Sequence, residues 1–597
     1  MGKGWTGKRL HIDLGLQRAW TEEISPRDLE PGVGGRRLNG MFFLEQISSS
    51  ISPSSPEFPV GLAVGPLSGT SAPCSGWTSV SAFSILSDPP GYAHGSLPGH
   101  WGPQLKFAGF DQCIVQGRAE RPLYLWIDGE KVRFENAKTL WGKDTVETTV
   151  AIQEENEDRD AEVLCIGPAG EKGVPFANVV NRFSWTGDHV GLGYAFGAKN
   201  LKAIAIRGHQ PVTLDQPDRF LELSLALRNR IDRDRKGSRL KEEGTLFFLG
   251  QNGRGGLGIK NFNEVSSPDL EEKWKTHYLR EFLYGREGCF SCPVHCGRVT
   301  QVDRDYFGGV HLEAAWSLGP RIGINDWEST LRLYRLCQKQ GLDPSSAGSL
   351  LSWIMNGFEE RVLTAQDLGN NECRWGDVEA ALRLLDWVVT GEEAGEIFRQ
   401  GSLRAAQRLG KGLDLVAHVK GMDLPVRDPR SSMEYALGLA LFPTEWDYLI
   451  SMPPHDLPSS VASPGDGIAD QAVAVEERKI LADLTSLCPL VVARLSLISA
   501  SDIAGLTAAA TGMDSDAQTL LEEARKTMQV EKTLSGVSNN EGNGWGPLPR
   551  RFFKEQSYAA YGAYGASPLS KSDFEKEVSR YYDGKGESLP WITEKER

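Results

Sequence analysis

The pattern of apolar and polar positions changes near residue 210. Before that point, short apolar runs such as residues 60–64 and 112–115 are bounded by Gly, Pro and Asp. Runs of this length between turn-forming residues predict β-strands. Residues 123–127 and 131–134 flank Asp128-Gly129, a dipeptide preferred in two-residue turns, and together they predict a hairpin. The first part of the chain is therefore predicted to be rich in strands.

From about residue 215 the apolar positions follow helical spacing instead. Leucines alternate with charged residues over 221–231, and similar patterns recur at 331–336 and 380–385. Asp343-Pro344-Ser345-Ser346 predicts a turn before a helix, with Ser346 as its N-cap. These patterns predict the α+β class: a β-rich N-terminal domain followed by mainly α-helical structure.

The chain of 597 residues is too long for one ordinary core, so several domains are expected. Residues 420–425 and 428–430 contain Gly, Pro and Asp that interrupt the helical pattern. We therefore predict a β-rich domain over 1–210 and two helical domains over 211–420 and 421–597.

Composition narrows the range of functions. The formal net charge of -14 and the absence of a basic run argue against a nucleic-acid partner. No apolar stretch is long enough to predict a membrane span, and no apolar segment typical of a signal peptide follows the basic N-terminus. Nine irregularly spaced cysteines do not suggest a disulfide framework, so we expect a reducing, cytoplasmic location.

Three of the cysteines form the densest candidate site. Cys289, Cys292 and Cys296 lie in one short segment with two and three residues between them. This spacing suits an iron-sulfur cluster or part of a zinc site, and either would need a fourth ligand from elsewhere in the chain. Three free thiols that happen to be close in sequence are the alternative.

Three glycine-rich loops in the first domain are candidate phosphate-binding loops. They span residues 65–70, 95–103 and 187–197. Such loops offer backbone N–H groups to anions, although ordinary structural loops have similar sequences. The candidate cofactor-binding residues in the second and third loops are Ser96, Gly99, Gly187, Gly191 and Gly193.

Many collinear motifs resemble the tungsten-containing aldehyde ferredoxin oxidoreductase family. They include Gly65-Pro66-Leu67-Ser68-Gly69-Thr70, residues 102–109, 140–145, 167–171 and 197–204, the cysteine motif and residues 508–512. The resemblance covers nearly the whole chain. It implies a β-rich base domain for the cofactor and two helical domains, between which substrate enters.

The resemblance also implies a cofactor set and its ligands. Family members hold tungsten between two pterins whose phosphates commonly share Mg2+, beside a 4Fe-4S cluster. For this chain the resemblance implies the same set, with tungsten or molybdenum as the metal. Two Asp-x-x-Gly-Leu-Cys/Asp loops grip the pterins, and the second loop supplies the last cluster cysteine, which is Cys488 here. The residues implied at these two loops are Gln338, Gly341, Leu342, Asp343, Asp483 and Leu487. Glu313 matches the active-site glutamate of the family.

Several positions depart from the family pattern near the cofactor. Trp77 stands where the family has Arg, and an indole cannot replace a guanidinium on a phosphate. Gln338 replaces Asp in the first loop, and Ser486 replaces Gly in the second, where a positive φ would strain it. His189-Val190 replaces Arg-Gly. Tyr448 replaces a catalytic His and is a poor base, although it could donate a hydrogen bond to substrate.

Three functional hypotheses follow. The first is an oxidoreductase that interconverts an aldehyde, or a related carbonyl, and its acid, and passes electrons to ferredoxin or an iron-sulfur subunit. The second is a divergent paralogue that keeps the cluster but has lost aldehyde oxidation or pterin binding, and acts as an electron-transfer or scaffold subunit. The third is a zinc-stabilised binding protein. The resemblance also allows a homodimer.

Overall fold

The structure is a computed structural model. It describes residues 3–46, 55, 57–88, 90–182, 189–249, 256–441, 467–537, 548–554, 558–559 and 567–583. Among these residues, no helix combines the length and apolar character needed to cross a membrane.

The N-terminal region contains two β-sheets. Its strands are β1 (Lys8–Asp13), β2 (Arg18–Glu23), β3 (Val60–Ala63), β4 (Thr78–Ser84), β5 (Gly91–Leu97), β6 (Gln112–Gln116), β7 (Leu123–Asp128), β8 (Lys131–Asn136), β9 (Glu162–Ile166), β10 (Val179–Asn181) and β11 (Leu201–Arg207). One sheet has the order β2-β1-β6-β3-β4-β5, and the other has the order β10-β9-β11-β7-β8. The strand-rich N-terminal region predicted from the short apolar runs is thus confirmed.

The predicted hairpin is present as β7 and β8. The two strands are antiparallel, and Asp128 pairs with Lys131. The two turn residues are therefore Gly129 and Glu130, one position later than predicted. Gly129 has φ +57°, a conformation that glycine adopts without a steric penalty.

Short helices connect and cover these sheets. They are α1 (Pro26–Leu29), α2 (Arg36–Gln46), α3 (Trp101–Phe107), α4 (Thr145–Glu155), α5 (Pro168–Glu171) and α6 (Leu192–Ala198).

The rest of the described chain is mainly helical. Its helices are α7 (Pro217–Arg233), α8 (Arg235–Glu243), α9 (Pro268–Lys273), α10 (Leu312–Ser317), α11 (Trp327–Gln340), α12 (Pro344–Glu359), α13 (Val378–Thr390), α14 (Gly395–Phe398), α15 (Ser402–Leu409), α16 (Met433–Leu441), α17 (Ile468–Thr485), α18 (Ala500–Thr511), α19 (Ala517–Val537), α20 (Arg551–Lys554) and α21 (Lys571–Asp583). Short strands lie among them: β12 (Gly258–Ile259), β13 (Glu264–Val265), β14 (Leu283–Glu287), β15 (Gly297–Val302), β16 (Asp305–Phe307), β17 (His418–Val419), β18 (Met422–Asp423) and β19 (Tyr558–Ala559). The predicted α+β class is therefore correct, while the three domain boundaries remain a prediction.

The largest hydrophobic core draws residues from widely separated parts of the chain. It includes Val33 and Leu67 from the strand-rich region, Trp316 from α10, and Leu484 from α17. Cys74, Cys292 and Cys488 are buried in the same core. The cysteine site therefore lies where the strand-rich region packs against the helices.

The N-cap of α12 differs from the predicted one. Asp343 is the N-cap, and its carboxylate accepts hydrogen bonds from the backbone N–H groups of Ser345 and Ser346. Ser346 lies one turn inside, and its hydroxyl donates to Asp343 at 2.8 Å. An ionised carboxylate beside the positive helix N-terminus explains this choice, because the helix dipole favours negative charge there.

Candidate functional site

The cysteine motif occupies the turn between β14 and β15. Ser291 and His295 have φ values of +53° and +49°, so the backbone turns sharply twice within the motif. Gly288 lies against the imidazole of His295, and a Cβ atom at residue 288 would be 2.4 Å from that ring. The turn thus holds Cys289, Cys292 and Cys296 within one compact segment.

Cys488 reaches the same region from the end of α17. Ser486 ends the helix with φ +64°, and Leu487 is fully buried. Burial and the thiols of Cys292, Cys296 and Cys488 raise the pKa of Cys289 well above its usual value. The structure therefore brings together all four predicted cluster cysteines.

The four thiols lie near one another, but they do not form a site for a single metal ion. Across the described ranges, no three or more His, Cys, Asp or Glu side chains are close enough together to bind one metal ion. A cubane cluster separates its ligand sulfurs more widely than a single zinc ion does, because each sulfur binds a different iron.

A fifth cysteine, Cys74, was missed by the sequence analysis. Its Sγ lies 3.7 Å from the Sγ of Cys292, and its side chain is fully buried. The contact with Cys74 is the largest influence on the pKa of Cys292 and lowers it to about 7. No spacing signal marks Cys74, because it precedes the motif by more than 200 residues.

The first pterin-type loop joins α11 to α12. Gly341 has φ +70°, and a Cβ there would be 2.8 Å from the backbone N of Gly167. Leu342 is fully buried and forms a β-bridge with Ala177. Gln338 donates through Nε2 to the carbonyl of Gly308 at 2.7 Å and to the hydroxyl of Tyr334 at 2.9 Å. This loop is therefore held against the strand-rich region by its own backbone.

Asp343 is buried at the end of this loop. Its Oδ2 lies 3.0 Å from Nδ1 of His189. Burial opposes ionisation, but His189 and the hydrogen bonds from Ser346 outweigh it and lower the pKa of Asp343. The carboxylate is therefore negatively charged at neutral pH.

Asp483 in the second loop lies in a buried ionic network. It accepts hydrogen bonds from Lys479 at 2.8 Å, Ser96 at 2.8 Å and Arg36 at 3.2 Å, and His94 is 3.4 Å away. Burial opposes ionisation, but Lys479, His94 and Arg36 hold its pKa far below the usual range. Ser96, predicted to bind the cofactor, here hydrogen-bonds Asp483.

Glu313 lies in a pocket with other polar side chains. It is buried on α10, and its Oε1 accepts from the Ser345 hydroxyl at 2.6 Å and from the backbone N–H of Val426 at 3.0 Å. Burial is the main cause that raises the pKa of Glu313. The same pocket is lined by His189, Asp343, Ser345, Ser346 and Asp423.

Asp423 is a third carboxyl group in this pocket, beside Glu313 and Asp343, and it was not predicted from the sequence. Burial raises its pKa to about 6, against the influence of Ser402 and Arg321. The pocket thus contains two carboxyl groups that hold a proton more readily than usual.

The predicted glycines make close backbone contacts. Gly99 has φ +126°, and its carbonyl accepts from the backbone N–H of Phe290 in the cysteine turn at 3.1 Å. Gly191 is the N-cap of α6 with φ +76°. A Cβ at Gly193 would lie 2.5 Å from the carbonyl oxygen of Asn178. These glycines allow close packing of backbone on backbone around the site.

Trp77 is buried between the cysteine turn and the second loop. Its backbone N–H donates to the carbonyl of Ser486 at 3.3 Å. Its indole Nε1, and the side-chain oxygens of Asn178 and Asn181, have no hydrogen-bond partner within the part of the chain that the structure covers. Buried polar atoms normally have partners, so these three could bind a polar group that enters the site. Gly187 and Tyr448 lie outside the described residues.

An open basin of about 460 Å³ reaches the cysteine turn from the surface. Its lining includes Cys289 and Cys292 together with His100, Arg182, Arg228, Arg286, Glu287 and His295. Three arginines from separate segments make this basin positively charged, in a chain whose net charge is -14.

Comparison with known protein families gives two matches that together cover most of the chain. The N-terminal domain of aldehyde ferredoxin oxidoreductase matches residues 9–208, and domains 2 and 3 of the same family match residues 222–587.

Individual relatives give a consistent picture. The tungsten-containing aldehyde ferredoxin oxidoreductase of Pyrococcus horikoshii is 30% identical over 92% of both chains. The WOR-like subunit of an aliphatic sulfonate oxidoreductase from Pyrococcus furiosus is 26% identical over 79% of this chain and 77% of its own. Among solved structures, the active site complex BamBC of benzoyl coenzyme A reductase aligns with a TM-score of 0.81 at 20% identity, over 98% of this chain and 95% of the other. This last likeness concerns the fold alone.

Proposed function

The chain belongs to the aldehyde ferredoxin oxidoreductase family, and on that basis we propose that it is a tungsten bis-pterin, 4Fe-4S oxidoreductase. It interconverts an aldehyde or related carbonyl and its acid, and it passes electrons to ferredoxin or an iron-sulfur subunit. The observation that carries the proposal is the gathering of Cys289, Cys292, Cys296 and Cys488 beside two pterin-type loops.

The chemistry of the cysteines fits an iron-sulfur cluster. Four thiols from two distant segments meet in a largely apolar core, and thiolates are the usual ligands of such clusters. Cys289 and Cys296 are partly exposed, so electrons have a short way to the surface.

The residues around the two loops fit a polar, pterin-type cofactor. The unpartnered indole N–H of Trp77 and the amide oxygens of Asn178 and Asn181 offer one donor and two acceptors. Asp343 adds an ionised carboxylate. When bound, a tungsten bis-pterin would take two electrons from the substrate, and the cluster would transfer them one at a time.

Glu313 is suited to hold and return the substrate proton. Its raised pKa favours protonation at Oε1 or Oε2 more than in an ordinary glutamate. The Val426 N–H and the Ser345 hydroxyl fix the carboxyl group in one orientation. His189 lines the same pocket and supplies an imidazole. Tyr448, which replaces the catalytic His of the family, has no imidazole.

One observation favours the paralogue without pterin. The Asp483 carboxylate already has hydrogen-bond and ion-pair partners in Lys479, Ser96, Arg36 and His94. It therefore needs no cofactor to balance its charge. In that alternative the protein keeps the cluster and serves as an electron-transfer or scaffold subunit.

Metal analysis of anaerobically purified protein separates these functions. The proposal predicts about one tungsten and about four irons per chain. Iron without tungsten, in cells grown with tungstate, would contradict it in favour of the paralogue. Zinc as the sole metal would contradict both.

A further inference from the structure

Cys74 places a fifth thiol next to the four predicted cluster ligands. It lies in the segment between β3 and β4, in the strand-rich region, and contributes to the same core as Cys292 and Cys488. Cys74 and Cys292 are both free thiols, 3.7 Å apart at their sulfurs.

The backbone of Cys74 is fixed to both cysteine segments. Its N–H donates to the carbonyl of Ser291 at 3.0 Å, and its carbonyl accepts from the N–H of Cys488 at 2.9 Å. Its φ of +64° is unfavourable for a residue with a side chain, so these contacts must hold it in place.

Gly76, two residues after Cys74, brings the backbone of this segment close to the cysteine turn. A Cβ at Gly76 would lie 2.5 Å from the carbonyl oxygen of Gly99 and 2.7 Å from the backbone N of Phe290. The segment therefore packs directly on the cysteine turn, and the backbone of Cys74 is held next to that turn.

If Cys292 binds the cluster, the direction of the hydrogen bond between Cys74 and Cys292 is fixed. A cysteine bound to iron is a thiolate and can only accept a hydrogen bond, so Cys74 must be the donor. A hydrogen bond to a ligand sulfur stabilises the more negative, reduced cluster and raises its reduction potential.

We propose that Cys74 is a positioning residue whose thiol donates a hydrogen bond to the Sγ of Cys292 and raises the reduction potential of the cluster. This inference depends on the cluster of the proposed function.

The experiment is a redox titration followed by electron paramagnetic resonance, on the parent protein and on Cys74→Ala and Cys74→Ser. We expect Cys74→Ala to keep its iron and its signal shape while its midpoint potential becomes more negative. The midpoint potential of Cys74→Ser should shift less, because a hydroxyl also donates a hydrogen bond. Cys113→Ala is the matched control, since Cys113 is equally buried but belongs to the core between the sheets.

Two results would overturn the inference while leaving the proposed function intact. An unchanged midpoint potential in Cys74→Ala would show that the contact does not affect the cluster. Loss of iron, or a three-iron signal, would make Cys74 a ligand. A parent protein without iron would instead overturn the proposed function and this inference together.

Discussion

At the scale of single residues, Ser486 shows how a departure from the family pattern is accommodated. Its φ of +64° is the strained conformation expected where Ser replaces Gly. The compensation is its hydroxyl, which accepts a hydrogen bond from the backbone N–H of Gly65 at 2.8 Å. The strain could be predicted from sequence, but the compensating contact joins residues 421 positions apart and could not.

Substitutions at Ser486 should separate the strain from the hydrogen bond. Glycine relieves roughly 1–2 kcal/mol of strain but leaves the buried Gly65 N–H without a partner, which costs about 1–3 kcal/mol. We expect Ser486→Ala to be less stable than Ser486→Gly by about 1 kcal/mol, with neither more stable than the parent. Urea unfolding midpoints measure this order. A Ser486→Gly variant more stable than the parent would show that the hydrogen bond contributes little.

Asp423 makes stability depend on pH. Its pKa rises from 3.8 to about 6 on folding, so the folded chain binds the proton more tightly than the unfolded chain. The stabilisation that this proton binding gives the folded chain is fully present below about pH 4 and is lost as pH rises through about 6. Burying the charge at neutral pH thus costs about 3 kcal/mol.

Asp423→Asn should therefore be more stable than the parent at pH 7, and the difference should vanish near pH 4. Thermal unfolding across this range tests the expectation. Arg321 and Asp343 also act on Asp423, so the control is Asp386→Asn, which removes the same charge from an exposed position on α13. If Asp423→Asn and the parent differed in thermal stability by the same amount at every pH, the raised pKa of Asp423 would be contradicted.

At the scale of elements, α17 connects the strand-rich region to the C-terminal helices. Arg36 on α2 donates to Glu531 on α19 at 2.7 and 2.6 Å and to Asp483 on α17 at 3.2 Å. All three side chains are buried. Helical periodicity predicts an element of this kind, but the pairing of three distant elements through one arginine depends on tertiary packing.

Removing Arg36 should weaken this junction strongly. Arg36→Met leaves buried carboxylates without their cation, and breaking such a network costs about 3–5 kcal/mol. Arg219→Met removes an exposed pair with Glu222 and should cost under about 1 kcal/mol. Thermal unfolding midpoints compare the two variants. Equal shifts would show that the buried network does not stabilise the junction.

At the scale of the whole molecule, the site combines residues from the entire chain. Cysteine spacing predicted the cysteine turn, and family motifs predicted Cys488, Glu313 and both loops. Cys74, Asp423 and the network around Asp483 were not predictable, because each depends on which distant segments meet in the core. The same holds for the arginine basin, whose Arg182, Arg228 and Arg286 lie on three separate segments.

The charge of this basin predicts how an electron carrier approaches. Arg228 and Arg286 are exposed, and they form no ion pair with any residue that the structure describes. An acidic carrier should be attracted to them in a molecule that is otherwise strongly negative. Changing Arg228 and Arg286 together to Glu should slow oxidation of the pre-reduced cluster by a purified acidic bacterial ferredoxin at least about tenfold at low salt.

Stopped-flow measurement of that oxidation tests the expectation. The effect should shrink as ionic strength rises, because salt screens exposed charges. Arg219→Glu changes charge on the same helix as Arg228 but outside the basin, and should have little effect. Equal rates for the double variant and the parent, with intact clusters, would exclude the basin as the docking surface.

The proposed function requires that Cys289, Cys292, Cys296 and Cys488 bind a four-iron cluster beside the pterin loops. Electron paramagnetic resonance of the dithionite-reduced protein tests it most directly, on the parent, on Cys488→Ala and on the buried control Cys113→Ala. We predict that Cys488→Ala loses the reduced-cluster signal or gives a three-iron form, whereas Cys113→Ala matches the parent. An unchanged signal in Cys488→Ala would contradict the claim.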